Sequence, residues 1–323
     1  MFVMNATVSN QLSDAQREAL LAAFDQRLQR FVSLGRYTAA RIGGAADWLI
    51  TVESTDALAE TVAKLWELEI PFFIFGGGSN LLVSDAGVRE VVILNKARRI
   101  QFDLDSSPPT VWAESGANFG LLARQAASRG LSGLEWAAGV PGTVGGAVYG
   151  NAGAHGSDVA ATLQVAEILH RTAYGIQRQI WPARRFEFDY RSSLLKREKP
   201  EAVVLTARFN FQPGEAEAIQ ARMDEFNDYR RRTQPPGASM GSIFKNPPDD
   251  YAGRLIEAAG LKGTRIGGAE ISPVHANFFI NHENATASDV IKLIKLAQST
   301  VADKFGIDLE LEIELIGEQD LDD

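Results

Sequence analysis

Residues 71–85, PFFIFGGGSNLLVSD, run a short apolar strand straight into three consecutive glycines, and the fold reads outward from that junction. Four large apolar residues in a row with turn signals after them read as a short strand. Upstream, residues 54–69 read as a helix capped at Ser54, and Trp48–Val52 as the strand before it, so the segment has the order β-α-β. Residues 13–30 read as one amphipathic helix, capped at Ser13/Asp14, with Leu20, Leu21, Phe24 and Leu28 on one face. After Phe75 the glycines let successive backbone N–H groups converge without Cβ obstruction, the geometry of an anion nest. Ser79 and Asn80 add side-chain donors there. A second glycine-rich stretch, GVPGTVGGAVYGNAG, covers residues 139–153 with six glycines in fifteen residues. Neither stretch is a G-x-x-x-x-G-K-[ST] loop or a G-x-G-x-x-G followed by an acid, so a nucleoside triphosphatase or a Rossmann dehydrogenase is disfavoured. Tight turns and closely packed backbone would explain either loop equally well.

From Arg89 to Phe211 the pattern shifts to short strands, at 91–94, 100–104, 111–114, 163–169 and 203–211, with one helix at 118–128 closed by Gly130. Gly214–Arg232 reads as a long helix, and Pro235-Pro236 after RRRTQ stop it. Beyond lie GSIFKNP, a helix at 251–259 closed by Gly260, a strand at 276–281, a helix at 286–305 closed by Gly306, and the alternating run DLELEIELIG, read as a last strand. Mixed segments of this kind make an α+β protein.

Composition narrows the function. The chain of 323 residues is 45% hydrophobic and 23% charged, in the range of folded globular proteins. No apolar run is long enough to span a bilayer, and the N-terminus lacks a basic region followed by an apolar one, so the expected location is cytoplasmic, with no membrane partner. Zero cysteines exclude disulfides, thiolate nucleophiles and cysteine-held metals. The four histidines, His155, His170, His275 and His282, form no helical ligand pair, so no metal site is expected. Of the net charge of -9, eight acids lie in the last sixteen residues. The low pI and the absence of a basic face argue against nucleic acid as a partner.

Eight collinear segments together resemble one bacterial family, the UDP-N-acetylenolpyruvoylglucosamine reductases, also called UDP-N-acetylmuramate dehydrogenases. They are YTAARIGG (37–44), FFIFGGGSNLLVSD (72–85), GLSGLEWAAGVPGTVGGAVYGNAGAHG (130–156), FDYRSS (188–193), GSIFKNP (241–247), AGRLIEAAGLKGTRIGGAEIS (252–272), HANFFIN (275–281) and GIDLELEIELIG (306–317). The resemblance implies an α+β, three-domain flavoenzyme. A two-part module over residues 1–85 and 86–213 would hold FAD non-covalently, and a separate α/β domain over 214–323 would bind substrate. It further implies that NADPH reduces the flavin, which then delivers hydride to the enolpyruvyl group of UDP-N-acetylglucosamine enolpyruvate, giving UDP-N-acetylmuramate for peptidoglycan. Fifty residues lie between Arg191 and Ser242, which resembles the shorter type of the family, without an extra substrate loop.

Carried residue by residue, the resemblance implies catalytic roles for Ser242, Arg191 and Glu312. It implies flavin contacts at Arg41, Gly76, Gly77, Gly78, Ser79, Asn80, Gly139, Gly142, Thr143, Gly145 and Gly146. Substrate contacts are expected at Arg232, Asn246, Lys262 and Arg265, with Arg230, Arg231 and Lys245 adding local positive charge. Hydride addition to the β-carbon of an enol ether leaves charge on the α-carbon, which the carboxylate can absorb while a donor protonates the carbon. Arg191 is a permanent guanidinium suited to a carboxylate. Ser242 is the implied proton donor, and Glu312 would help only if protonated, hence with a raised pKa. Periodicity alone gives Glu312 no claim over Asp308, Glu310 and Glu314, which would share its face of a regular strand. Many members of the shorter type carry arginine where this chain has Glu314, so another base must serve there. A flavin oxidase of the vanillyl-alcohol type would share the glycine loops but would not need GSIFKNP and HANFFIN together; a nucleotide-binding module would need none of the Arg191, Ser242 and Glu312 set.

Overall fold

Phe72–Phe75 is buried along its whole length and runs parallel to Val88–Asn95, which in turn runs parallel to Ala45–Val52. Leu28–Ser33 completes this first sheet as an antiparallel edge. The computed structural model describes residues 11–317. The first ten residues, on which the reading of the N-terminus rests in part, and residues 318–323 of the acidic tail lie outside the described residues.

The helix Thr55–Glu67 crosses between Ala45–Val52 and Phe72–Phe75, with Ser54 Oγ accepting from Ala57 N at 3.1 Å. Its Leu58, Val62 and Leu65 are fully buried against the sheet. The helix expected over 13–30 ends early. A capping box of Ser13 and Gln16 starts it, but it spans Asp14–Phe24, and Leu28–Arg30 instead pair with Trp48–Ile50. Strand pairing there, with the Arg30 guanidinium 4.6 Å from the Trp48 ring, outweighs the continued helical spacing.

A second sheet, wholly antiparallel, has the order Gly175–Pro182, Leu163–Thr172, Ala202–Asn210, Thr110–Glu114, Ile100–Asp103. Its outermost strand, Gly175–Pro182, has no apolar signature because it is an exposed edge that buries only Trp181. The third sheet, also antiparallel, runs Ala238–Ser242, Phe278–Asn281, Ala269–Ile271, Arg265–Ile266. Helices Ala252–Ala258 and Ala287–Phe305 cover it, stopped by left-handed turns that include Gly260 and Gly306.

Two expected divisions cut through packed units. Val88–Asn95 lies in the middle of the first sheet, so that sheet continues past residue 86. The helix Ala216–Thr233 buries Ile219 and Met223 on Ala127 and Ala138, so it packs with the residues before 214 rather than with the third sheet.

The C-terminal run is also not one strand. Only Glu314–Ile316 is strand, parallel to Leu81–Val83; Leu311 forms a single bridge to Phe244, and the chain bends at Ile313. Buried Leu309, Ile313 and Ile316 anchor this segment to the third core and then to the first. It therefore crosses from one sheet to the other, over the junction where the glycine loop emerges.

Candidate active site

The two glycine loops face each other. A Cβ on Gly77 would stand 3.0 Å from Gly142 Cα, and one on Gly76 would stand 2.7 Å from Thr143 Oγ1. Bare backbone is what permits this approach, so close packing is one reason for these glycines. Thr143 caps the helix Val144–Gly150 by accepting from Gly146 N at 3.4 Å, while Gly145 N donates to Ser115 O at 2.7 Å. The exposed edges of residues 76–80, with Gly142, Thr143, Gly145 and Gly146, line a cavity of about 350 Å³. Arg191, Ser242 and Glu312 line the same cavity.

Each of these three is set by a local device. Arg191 stands at φ +52°, in a turn closed by reciprocal hydrogen bonds between the backbones of Asp189 and Ser192. A left-handed arginine costs about 1–2 kcal/mol, and the turn is held from outside by Asn151 Nδ2, which donates to Asp189 O at 3.0 Å. Ser242 follows Gly241, whose φ of +80° falls at a register shift in the pairing with Phe278–Asn281. Asn277 fixes the next residues by bonding both Phe244 N, at 2.9 Å, and Phe244 O, at 2.8 Å. The Ser242 hydroxyl makes no hydrogen bond to another described residue. Glu312 N donates to Ile243 O at 2.8 Å, and Glu312 O accepts from Asn80 Nδ2 at 3.0 Å. The C-terminal segment thus ties the serine strand to the first glycine loop.

Arg191 Nε donates to Glu312 Oε1 at 2.7 Å, with both side chains largely buried. Burial pushes the Glu312 carboxyl above its ordinary pKa and outweighs the opposing pull of Arg191, Lys196 and Lys245. Their neighbours in space separate the acids that periodicity makes equivalent. Glu310 is 72% exposed and pairs with Lys245, whereas Glu312 is 16% and Glu314 15% exposed.

The other expected residues are placed elsewhere. Gly139 sits behind its loop, where a Cβ would meet Arg230 and Asn227. Arg41 lines a separate polar cavity with Asp85, His282 and Thr286. Arg232 is exposed, its Nε 3.4 Å from Asp228 O; Arg230, two residues earlier, is the one of the three arginines on the cavity wall. Asn246 accepts from Ala252 N at 3.1 Å and so braces the start of the next helix. Lys262 pairs with Glu257 at 2.8 Å and Arg265 with Glu270 at 3.1 Å. Among the described residues no cluster of histidines and acids could hold a metal ion, and no helix is long and apolar enough to cross a membrane.

Lys196 and Tyr149 are among the lining residues that went unmarked in the sequence. Lys196 Nζ lies 2.9 Å from Glu314 Oε1. The Tyr149 hydroxyl is buried without a hydrogen-bond partner among the described residues, and burial raises its pKa further, so it stays a donor. A signal existed for Lys196 alone, since it follows Arg191 by five residues behind a Ser193 cap.

The loops and walls fit a dinucleotide flavin. Side-chain-free backbone faces one side of the cavity, an orphaned phenol waits for an acceptor, and the volume is in the range of small-molecule sites.

Comparison with known proteins agrees with this arrangement. Residues 46–172 match a family described as FAD binding domain, and residues 233–316 match the UDP-N-acetylenolpyruvoylglucosamine reductase, C-terminal domain. A protein of Rubrobacter xylanophilus named UDP-N-acetylenolpyruvoylglucosamine reductase is 43% identical over 304 residues, covering 94% of this chain and 98% of its own. Its namesake in Bacillus subtilis is 41% identical over 88% of this chain and 92% of its own. The crystal structure of the reductase from Thermus caldophilus superposes with a TM-score of 0.76 at 38% identity, covering 90% of this chain and 99% of that one.

Proposed function

The chain belongs to the UDP-N-acetylenolpyruvoylglucosamine reductase family and is an FAD oxidoreductase of peptidoglycan synthesis; from that premise we propose that it takes hydride from NADPH and reduces the enolpyruvyl group of UDP-N-acetylglucosamine enolpyruvate. The observation that carries this reading is the convergence of Arg191, Ser242 and Glu312, from three distant parts of the chain, on the cavity walled by both glycine loops.

FAD, when bound, supplies a ring that accepts hydride from the nicotinamide and passes it to the enolpyruvyl carbon. Residues 76–80 and the 142–146 loop would hold its phosphates through backbone donors. Arg191 has Nε on Glu312, and its terminal nitrogens make no hydrogen bond to another described residue, so they are available to a substrate carboxylate. That contact draws negative charge away from the α-carbon as hydride reaches the β-carbon. Glu312 is suited to the same task as a neutral acid, since burial favours its protonated form and a carboxylic acid donates where a carboxylate cannot. Ser242, whose hydroxyl has no hydrogen-bond partner among the described residues, delivers the proton to the α-carbon. Hydride at one carbon and a proton at the other saturate the double bond and leave a lactyl ether.

The test is optical. The purified protein is yellow, releases FAD on denaturation, bleaches with anaerobic NADPH and regains its colour on adding the enolpyruvyl sugar nucleotide, with the lactyl product found by mass. A protein that cannot be reconstituted with FAD, or whose reduced form is not reoxidised by that substrate, overturns the reading.

A further inference from the structure

We infer that Lys196, held by Glu314, is a second cation beside Arg191 for the substrate's carboxylate, and so a specificity-determining residue of the reaction proposed above, on which this inference rests. Lys196 sits in the short helix Leu194–Glu198, five residues after Arg191. Ser193 fixes that helix to the cavity wall: its Oγ accepts from Lys196 N at 3.3 Å and donates to Tyr149 O at 2.6 Å. The lysine and the tyrosine therefore come from two elements tied together at one serine.

Lys196 Nζ meets Glu314 Oε1 at 2.9 Å, with the side chains 19% and 15% exposed. A pair this secluded gains little stability, because desolvating both charges offsets their attraction. An ammonium has three donors, and Glu314 takes one. Lining the same cavity are Arg191, Ser242 and Tyr149, whose hydroxyl has no partner among the described residues. One oxygen of each acid on this wall, Glu312 and Glu314, already accepts from Arg191 and Lys196. The wall is thus rich in donors, with two protons of the Lys196 ammonium and the Arg191 terminal nitrogens still to be satisfied, which favours an oxyanion as ligand. The substrate offers two, a carboxylate and a pyrophosphate. Shared placement with Arg191 assigns Lys196 to the carboxylate.

The experiment measures the dissociation constants of the oxidised holoenzyme by calorimetry for UDP-N-acetylglucosamine enolpyruvate and for UDP-N-acetylglucosamine, which lacks the carboxylate. Variants are Lys196→Gln, Glu314→Gln, Lys196→Arg and the double Lys196→Gln/Glu314→Gln, each checked for FAD content. The double variant removes the ion pair without stranding a buried carboxylate, so it stays informative if Lys196→Gln alone folds poorly. It is expected to bind the enolpyruvyl compound about tenfold to a hundredfold more weakly, the loss of one charge-assisted hydrogen bond, while UDP-N-acetylglucosamine binds unchanged. Glu314→Gln binds at least as tightly as wild type, and Lys196→Arg within a few fold of it. Wild-type affinity in the double variant would make the pair purely structural and overturn the inference. Equal weakening for both nucleotides would reassign Lys196 to the pyrophosphate and overturn the carboxylate assignment. A wild-type holoenzyme that binds neither nucleotide would instead sink the function on which the inference rests.

Discussion

Replacing Glu312 by glutamine keeps the shape of the side chain and an acceptor for Arg191 Nε, but removes both the charge and the acidic proton. The structural cost is small. The bond at 2.7 Å keeps its guanidinium donor and loses only the acceptor's charge, about 1 kcal/mol, and the raised pKa means that the surroundings on balance disfavour the carboxylate it replaces. Stability and FAD content should therefore stay near wild type. The catalytic cost is large if the protonated carboxyl takes charge from the developing aci-carboxylate: losses of about a hundredfold to ten-thousandfold, or roughly 3–5 kcal/mol of barrier, are usual for such groups. Glu310→Gln is the control, because Glu310 is 72% exposed and its pair with Lys245 is worth at most about 1 kcal/mol. The assay is anaerobic stopped flow: flavin reduction by NADPH first, then reoxidation by the enolpyruvyl substrate. Reoxidation is expected to collapse in Glu312→Gln alone. Similar behaviour of the two variants, or a reoxidation rate within tenfold of wild type in Glu312→Gln, refutes the assignment.

Ser242→Ala should leave NADPH reduction of the flavin in place and slow reoxidation by substrate about a hundredfold or more; equal slowing of both steps would make the serine a structural residue. The reoxidation rate of free reduced enzyme at limiting substrate should fall as pH rises past the raised Glu312 pKa, because the required neutral acid is lost tenfold per unit there, and Glu312→Gln should abolish that limb; a limb that survives in the variant belongs to another group. Gly78→Ala places a Cβ 2.2 Å from Tyr37 O at a φ of +59°, so it should destabilise the fold by about 2 kcal/mol or more and lower FAD content, both read on the purified protein by thermal melting and visible spectrum. An unchanged melt would mean that the loop moves freely out of the clash.

Much of this was legible in one dimension. Caps and stops mark the helices well: Ser54, Thr286, Gly260 and Gly306 act through neighbours within a turn, so local sequence is enough to find them. The glycine loops were readable for the same reason, as compact motifs with a conformational demand, whereas Arg191 and Ser242 were singled out by the family resemblance and not by their local sequence. The helix over 13–30 was overread because pairing of Leu28–Ser33 with Ala45–Val52 joins residues 12 to 22 positions apart, invisible to spacing along the chain.

The sequence by itself determined which groups could do chemistry and which classes were excluded, because residue types carry charge, acidity and backbone freedom with them. Only the tertiary structure decided which of them meet. Four acids alternate from Asp308 to Glu314, and nothing local distinguishes them. The bonds of residues 310–314 to Ile243, Lys245 and Asn80 and the guanidinium of Arg191 hold Glu312 at the cavity, while Glu310 stays in water. The same holds for Arg230 rather than Arg232, and for Lys196 opposite Glu314. Burial and pairing are properties of neighbours in space, and an acid's pKa follows those neighbours, not its position in the chain.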